Sequence, residues 1–175
     1  MRSTISLRRV AILLVVTSIA GLGPNPAAAQ PCVDDDRYRQ FDFWIGSWEV
    51  FNPDDQRVGT NAITMDEEGC VLIERWTGAQ GSTGTSINYF DPSTATWKQR
   101  WAASAGYLVE LDGGLDGEAM LLEGHLIQPD GSRQPMRGRW AQLDDGRVRQ
   151  HFEVRDSTKT WSTWFDGYYV RMGAD

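Results

Sequence analysis

The sequence predicts an all-β fold, a closed up-and-down antiparallel barrel of about ten strands behind a short N-terminal plug. Three observations carry this. From Trp48 onward, ten runs of alternating apolar and polar residues follow one another, separated by clusters of Gly, Pro, Asn, Asp, Ser and Thr. No stretch after Gly46 shows a helical apolar stripe with caps. The connections are short, so consecutive strands pair as neighbours, and a meander this long removes its edges by closing.

The first thirty residues stand apart. Arg2, Arg8 and Arg9 precede an apolar run from Val10 to Ala20, Pro24 and Pro26 break it, and Ala27-Ala28-Ala29 offers a small-residue cleavage site. That is the pattern of a secretory signal peptide over 1–29, leaving 30–175 as one domain, secreted or periplasmic after cleavage near Ala29. The residues around Arg8-Arg9 fit a twin-arginine signal poorly, and Ala29-Gln30-Pro31 before Cys32 is no lipoprotein box, so no membrane anchor is expected. The two cysteines, Cys32 and Cys70, then meet an oxidising compartment and are expected to pair.

Next comes Phe41-Asp42-Phe43-Trp44-Ile45-Gly46-Ser47-Trp48, four large aromatics in eight residues. Each can bury roughly 150–250 Å², so an exposed location is excluded and the segment reads as a plug. Gly46 permits a sharp turn into the first strand, in which Trp48 and Val50 share one face. The following runs are Val58–Met65, Cys70–Thr77, Thr85–Phe90, Thr96–Ala103, Tyr107–Leu111, Glu118–Ile127, Gln134–Leu143, Arg147–Arg155 and Thr160–Arg171. Asp112-Gly113-Gly114, Pro129 to Ser132, Asp144-Asp145-Gly146 and Asp156-Ser157-Thr158 read as turns.

Alternation assigns faces. Trp97, Gln99 and Trp101 oppose Lys98 and Arg100; Met136, Gly138 and Trp140 oppose Arg137 and Arg139. Val148, Gln150, Phe152 and Val154 oppose Arg147, Arg149, His151, Glu153 and Arg155. The interior so inferred is aromatic and aliphatic with a few amides.

Composition excludes some functions. The chain has 17 basic and 24 acidic residues. Removing the three leader arginines leaves 14 basic groups against 24, a net charge near −10, which disfavours nucleic acid and anionic membrane surfaces. No Cys-x-x-Cys or His-x-x-x-His spacing occurs, so no metal site and no cofactor are expected. Gly-x-Ser-x-Gly is absent, and His125 and His151, the two histidines, fall on outer faces.

The opening Phe41 to Trp48 resembles that of a group of secreted bacterial lipocalin-like domains. So do Gly69 to Trp76, Gly84 to Pro92, Trp97 to Trp101, Asp145 to Gln150 and Trp161 to Arg171. The resemblance spans nearly the whole domain and implies a calycin-like barrel, with no particular activity. In such barrels an arginine ending the last strand stacks over the opening tryptophan, a role implied here for Arg171 over Trp48. A more distant likeness is to nitrobindin-type haem barrels. Those place a haem-ligating histidine near the end of the last strand, which here reads Asp166-Gly167-Tyr168-Tyr169-Val170-Arg171 without one.

Two sets of residues carry candidate chemistry. Glu74 alternates with Leu72 and Trp76; inward, it must pair with an arginine or shift its pKa upward, and pairing is the expected outcome. It is the candidate for acid–base work, with no other catalytic residue assigned. Trp76, Asn88, Gln99, Trp101, Trp140, Gln150 and Phe152 share the inward phase and mix ring faces with amides. They are expected to line a pocket for a small apolar or aromatic ligand. Eight tryptophans are also what a filled interior would use. The readings are therefore a binding barrel, an enzyme (isomerase, hydratase or hydrolase) using an interior carboxylate, and a structural envelope domain.

Overall fold

The computed structural model describes residues 32–173; the leader predicted over 1–29 lies outside the described residues. Ten strands form one closed antiparallel barrel in which each strand pairs with its sequence neighbours and β1 pairs with β10. They are β1 (Gly46–Phe51), β2 (Arg57–Asp66), β3 (Val71–Gly78), β4 (Thr83–Asp91), β5 (Thr96–Ala103), β6 (Leu108–Asp116), β7 (Ala119–Ile127), β8 (Arg133–Gln142), β9 (Val148–Arg155) and β10 (Trp161–Arg171). The predicted inward phases are the observed ones: β9, for instance, alternates buried and half-buried residues along its whole length. Closure places Trp48 opposite Arg171, and the guanidinium lies 4.3 Å from the indole centroid. Gly46 has φ +150°, and a Cβ there would strike that guanidinium.

The plug closes one end. Asp35 caps the short helix α1 (Asp36–Arg39) through its side chain, which accepts from the Arg37 N–H. A 3₁₀ turn, Asp42–Trp44, follows. Phe41 and Trp44, both fully buried, pack on Trp140 at 5.3 and 5.7 Å between ring centroids. The Trp97 N–H donates to Gln40 Oε1 and to the Arg37 carbonyl, which ties the helix to β5. Cys32 and Cys70 are disulfide-bonded across a Cα–Cα distance of 5.0 Å, stapling the start of the plug to the β2–β3 connection. That bond places the domain in an oxidising compartment. No helix of the described residues is long and apolar enough to cross a membrane.

One expectation is corrected, and one tryptophan lies apart from the rest. Asp112-Gly113-Gly114 is no turn but the middle of β6, which runs on to Asp116. Gly113 is there because β6 and β7 approach closely: a Cβ would overlap the Leu121 carbonyl oxygen. Trp161 does not contribute to the interior. It sits outside the barrel between the guanidinium groups of Arg137 and Arg155, at 4.5 and 5.4 Å.

Candidate functional site

Away from the plug the barrel is not filled. A cavity of about 280 Å³ lies toward the end where β3 meets β4 and β5 meets β6. It is lined by Glu74 and Trp76 from β3, Gln99 and Trp101 from β5, Val109 from β6, Gln150 and Phe152 from β9, and Trp164, Phe165 and Tyr169 from β10, with Ser82 and Tyr107 from the turns. Ser82 and Trp164 are exposed, so the cavity reaches the surface beside them.

The aromatic walls depend on glycines in facing strands. A Cβ on Gly84 would overlap the Trp101 ring, and one on Gly59 would come within 2.6 Å of Trp76. These indoles therefore lie flat against backbone that only glycine leaves bare. The β9–β10 register slips between Thr163 and Phe165. A bulge at this point turns two consecutive residues, Trp164 and Phe165, to the same side. Their rings then meet Phe152 at 6.2 and 6.4 Å, and Trp164 meets Tyr107 at 5.6 Å across the mouth.

A polar layer forms the cavity floor, between the walls and the plug. Glu74 and Ser86 are cross-strand partners, as are Asn61 and Trp76. Ser86 Oγ donates to Glu74 Oε2 at 2.6 Å, and Asn61 Nδ2 to Glu74 Oε1 at 2.7 Å. Asn88 Nδ2 donates to Ser86 Oγ at 2.8 Å, and the Tyr169 hydroxyl donates to Gln150 Oε1 while accepting from Asn61. The arginine expected to pair with Glu74 is not there: among the described residues, none that lines the cavity is Arg, Lys or His. Instead burial pushes the Glu74 carboxyl up to about 7, against the opposing effect of the Ser86 and Asn61 hydrogen bonds. Burial also raises Tyr169 well above the ordinary phenol range, and the neighbouring Glu74 adds to the effect.

Of the residues singled out from sequence, Trp76, Gln99, Trp101, Gln150 and Phe152 come together around this cavity, with Glu74 at its floor. Asn88 is fully buried in the polar layer below, and Trp140 belongs to the plug contact. His125 and His151 do not line the cavity. Sequence reading missed Asn61, Ser86, Tyr107, Trp164, Phe165 and Tyr169. Asn61 was within reach, since it alternates with Gly59 and Ile63; Trp164 was not, because the bulge breaks the alternation.

Asn61 Oδ1 and Asn88 Oδ1 in the polar layer accept no hydrogen bond from the described residues, and one lining residue shares this. Gln99 is 1% exposed and its Oε1 accepts no hydrogen bond from the described residues, whereas the Trp101 indole N–H faces the Tyr107 hydroxyl. An unsatisfied buried group costs about 1–3 kcal/mol.

The raised Glu74 pKa has a consequence for stability. The group titrates at about 7 in the fold and near 4.5 otherwise. Folding therefore takes up a proton between those values, and stability falls as pH rises from about 4.5 through 7. The shift corresponds to about 3 kcal/mol. In urea denaturation between pH 4 and pH 8, Glu74→Gln should gain about 3 kcal/mol relative to the parent. Parallel pH profiles would mean that Glu74 ionises as freely in the fold as outside it.

No protein-family model matches the chain, and no curated protein is significantly similar to it.

Proposed function

We propose that this protein is an exported barrel that binds a small, largely apolar or aromatic molecule. The observation that carries the reading is the cavity itself: about 280 Å³ behind an exposed mouth, walled by indole and phenyl rings, with an acceptor on Gln99 that has no donor from the described residues. Ligand pockets run from roughly 300 Å³ upward, so the ligand is a compact one, such as a single substituted ring. Its polar group meets the polar side of the lining, at Gln99 and Tyr107, and fixes its orientation, while its body displaces water from the rings. The signal-like leader, the disulfide and the likeness to secreted lipocalin-like domains support export. A domain kept only as structure would gain by filling this volume, since cavities destabilise.

Glu74 supports a second reading, an isomerase, hydratase or hydrolase. A carboxyl group titrating near 7 at a cavity wall is suited to take and return a proton. Turnover that survives in Glu74→Gln would remove this reading.

The binding reading is tested with substituted benzenes, both neutral and basic, following tryptophan fluorescence and melting temperature together. A saturable fluorescence change with a raised melting temperature is expected, lost in Trp101→Ala. No response to any compound would overturn it.

A further inference from the structure

We propose that the ligand is a small organic cation, an arylalkylammonium ion. Its charged head rests at the Glu74 floor and its ring lies among Trp76, Trp101, Phe152 and Phe165. This deepens the binding reading above and rests on it.

Glu74 is 3% exposed, and no cation among the described residues lines the cavity to offset it. A buried carboxylate is unfavourable unless it is paired, and truncation of one partner of a buried pair is costly for the same reason. Here the missing partner can only come from outside the lining residues. Glu74 Oε1 and Oε2 each accept one hydrogen bond, from Asn61 and from Ser86. A carboxylate offers about four acceptor sites, so each oxygen keeps acceptor capacity, and Glu74 lines the cavity.

The rest of the lining agrees. Gln99 lines the cavity and its Oε1 has no donor from the described residues; the oxygen is covered in this structure, and a turn of the amide presents it to a second ammonium N–H. The walls present indole and phenyl faces, whose quadrupoles are negative and attract organic cations, most strongly where water is displaced. An anionic ligand would meet Glu74, these ring faces and a chain of net charge −7.

The groups facing Glu74 leave its charge to the ligand. Asn61 on β2, Ser86 on β4, Gln99 on β5 and Gln150 on β9 do not titrate. Tyr169 on β10 and Tyr107 in the β5–β6 turn do, but burial raises both, so they stay neutral through the range where Glu74 ionises. The Tyr169 proton is held by Gln150. Cation binding therefore couples to one proton, the one that leaves Glu74.

The test compares 2-phenylethylammonium with its neutral counterpart 2-phenylethanol by isothermal titration calorimetry on the mature protein. At pH 8 the ammonium ion should bind about 10- to 100-fold tighter, the scale of a charge-assisted hydrogen bond. Its affinity should fall at least about tenfold by pH 5.5, as Glu74 protonates. At pH 6.5 binding should release protons, read from the heat difference between two buffers of unlike ionisation enthalpy. Glu74→Gln should lose the preference for the cation, its pH dependence and the proton release, while still binding the alcohol. Equal affinity for alcohol and ammonium at pH 8, or ammonium binding without proton release, would overturn the cation assignment and leave the binding barrel standing. If neither compound nor any other ring compound binds, both fall. Should Glu74→Gln fold poorly, proton release by the parent protein still decides.

Discussion

Replacing Trp48 with alanine should destabilise the barrel by about 3–5 kcal/mol, the usual range for truncating a buried tryptophan. Trp48 is fully buried, its N–H donates to the Trp44 carbonyl at 2.9 Å, and its ring meets Tyr169 edge-on. One side chain thus joins the plug, the first strand and the last. Arg171 covers its outer face from an exposed position and donates to the Ile45 carbonyl at 3.1 Å. Arg171→Ala should cost less, about 1 kcal/mol, as exposed cation–π contacts do. The two losses should not add, because the residues touch. Denaturant titration of both single variants and the double variant measures this. Additive losses would argue that β10 does not close on β1 in the manner described.

Reducing the Cys32–Cys70 disulfide should cost about 4 kcal/mol on the chain-entropy argument, for residues 38 apart in sequence. The closed loop contains the whole plug, including Phe41 and Trp44 against Trp140. Reduction therefore loosens the barrel floor first. The denaturation midpoint should fall when reductant is added, and intact mass should rise by two hydrogens. An unchanged midpoint after verified reduction would show that the packing of Phe41 and Trp44 holds the plug unaided.

Most of the architecture was legible because strand alternation is a local property. Trp97-Lys98-Gln99-Arg100-Trp101 and Val148 to Val154 state their faces without reference to anything else. Closure was legible from the short connections and from Trp48 and Arg171 at the two ends. The missed parts depend on what lies across the sheet. Gly113 looked like a turn because a glycine demanded by a neighbouring backbone is indistinguishable in sequence from one demanded by φ. The inward turn of both Trp164 and Phe165 needs a bulge whose cause lies in the pairing with β9. Glu74 was seen, but its partners were not. Asn61 and Ser86 reach it from two other strands, and the choice between an arginine and two neutral donors is made only when the three strands are side by side.

The proposed binding cavity lies at the end of the barrel away from the plug. The indole N–H resonances of the ¹⁵N-labelled protein over residues 30–175 report on it most directly, because the tryptophans occupy unlike places. Trp76, Trp101 and Trp164 line the cavity, the Trp48 and Trp97 N–H groups are bonded at the plug, and Trp161 is outside. On titration with 2-phenylethylamine and 2-phenylethanol, the Trp101 signal should shift saturably, with Trp76 and Trp164 following. Trp48, Trp97 and Trp161 should stay in place. Shifts confined to Trp161, or no saturable shift at Trp101 with any compound, would contradict the account.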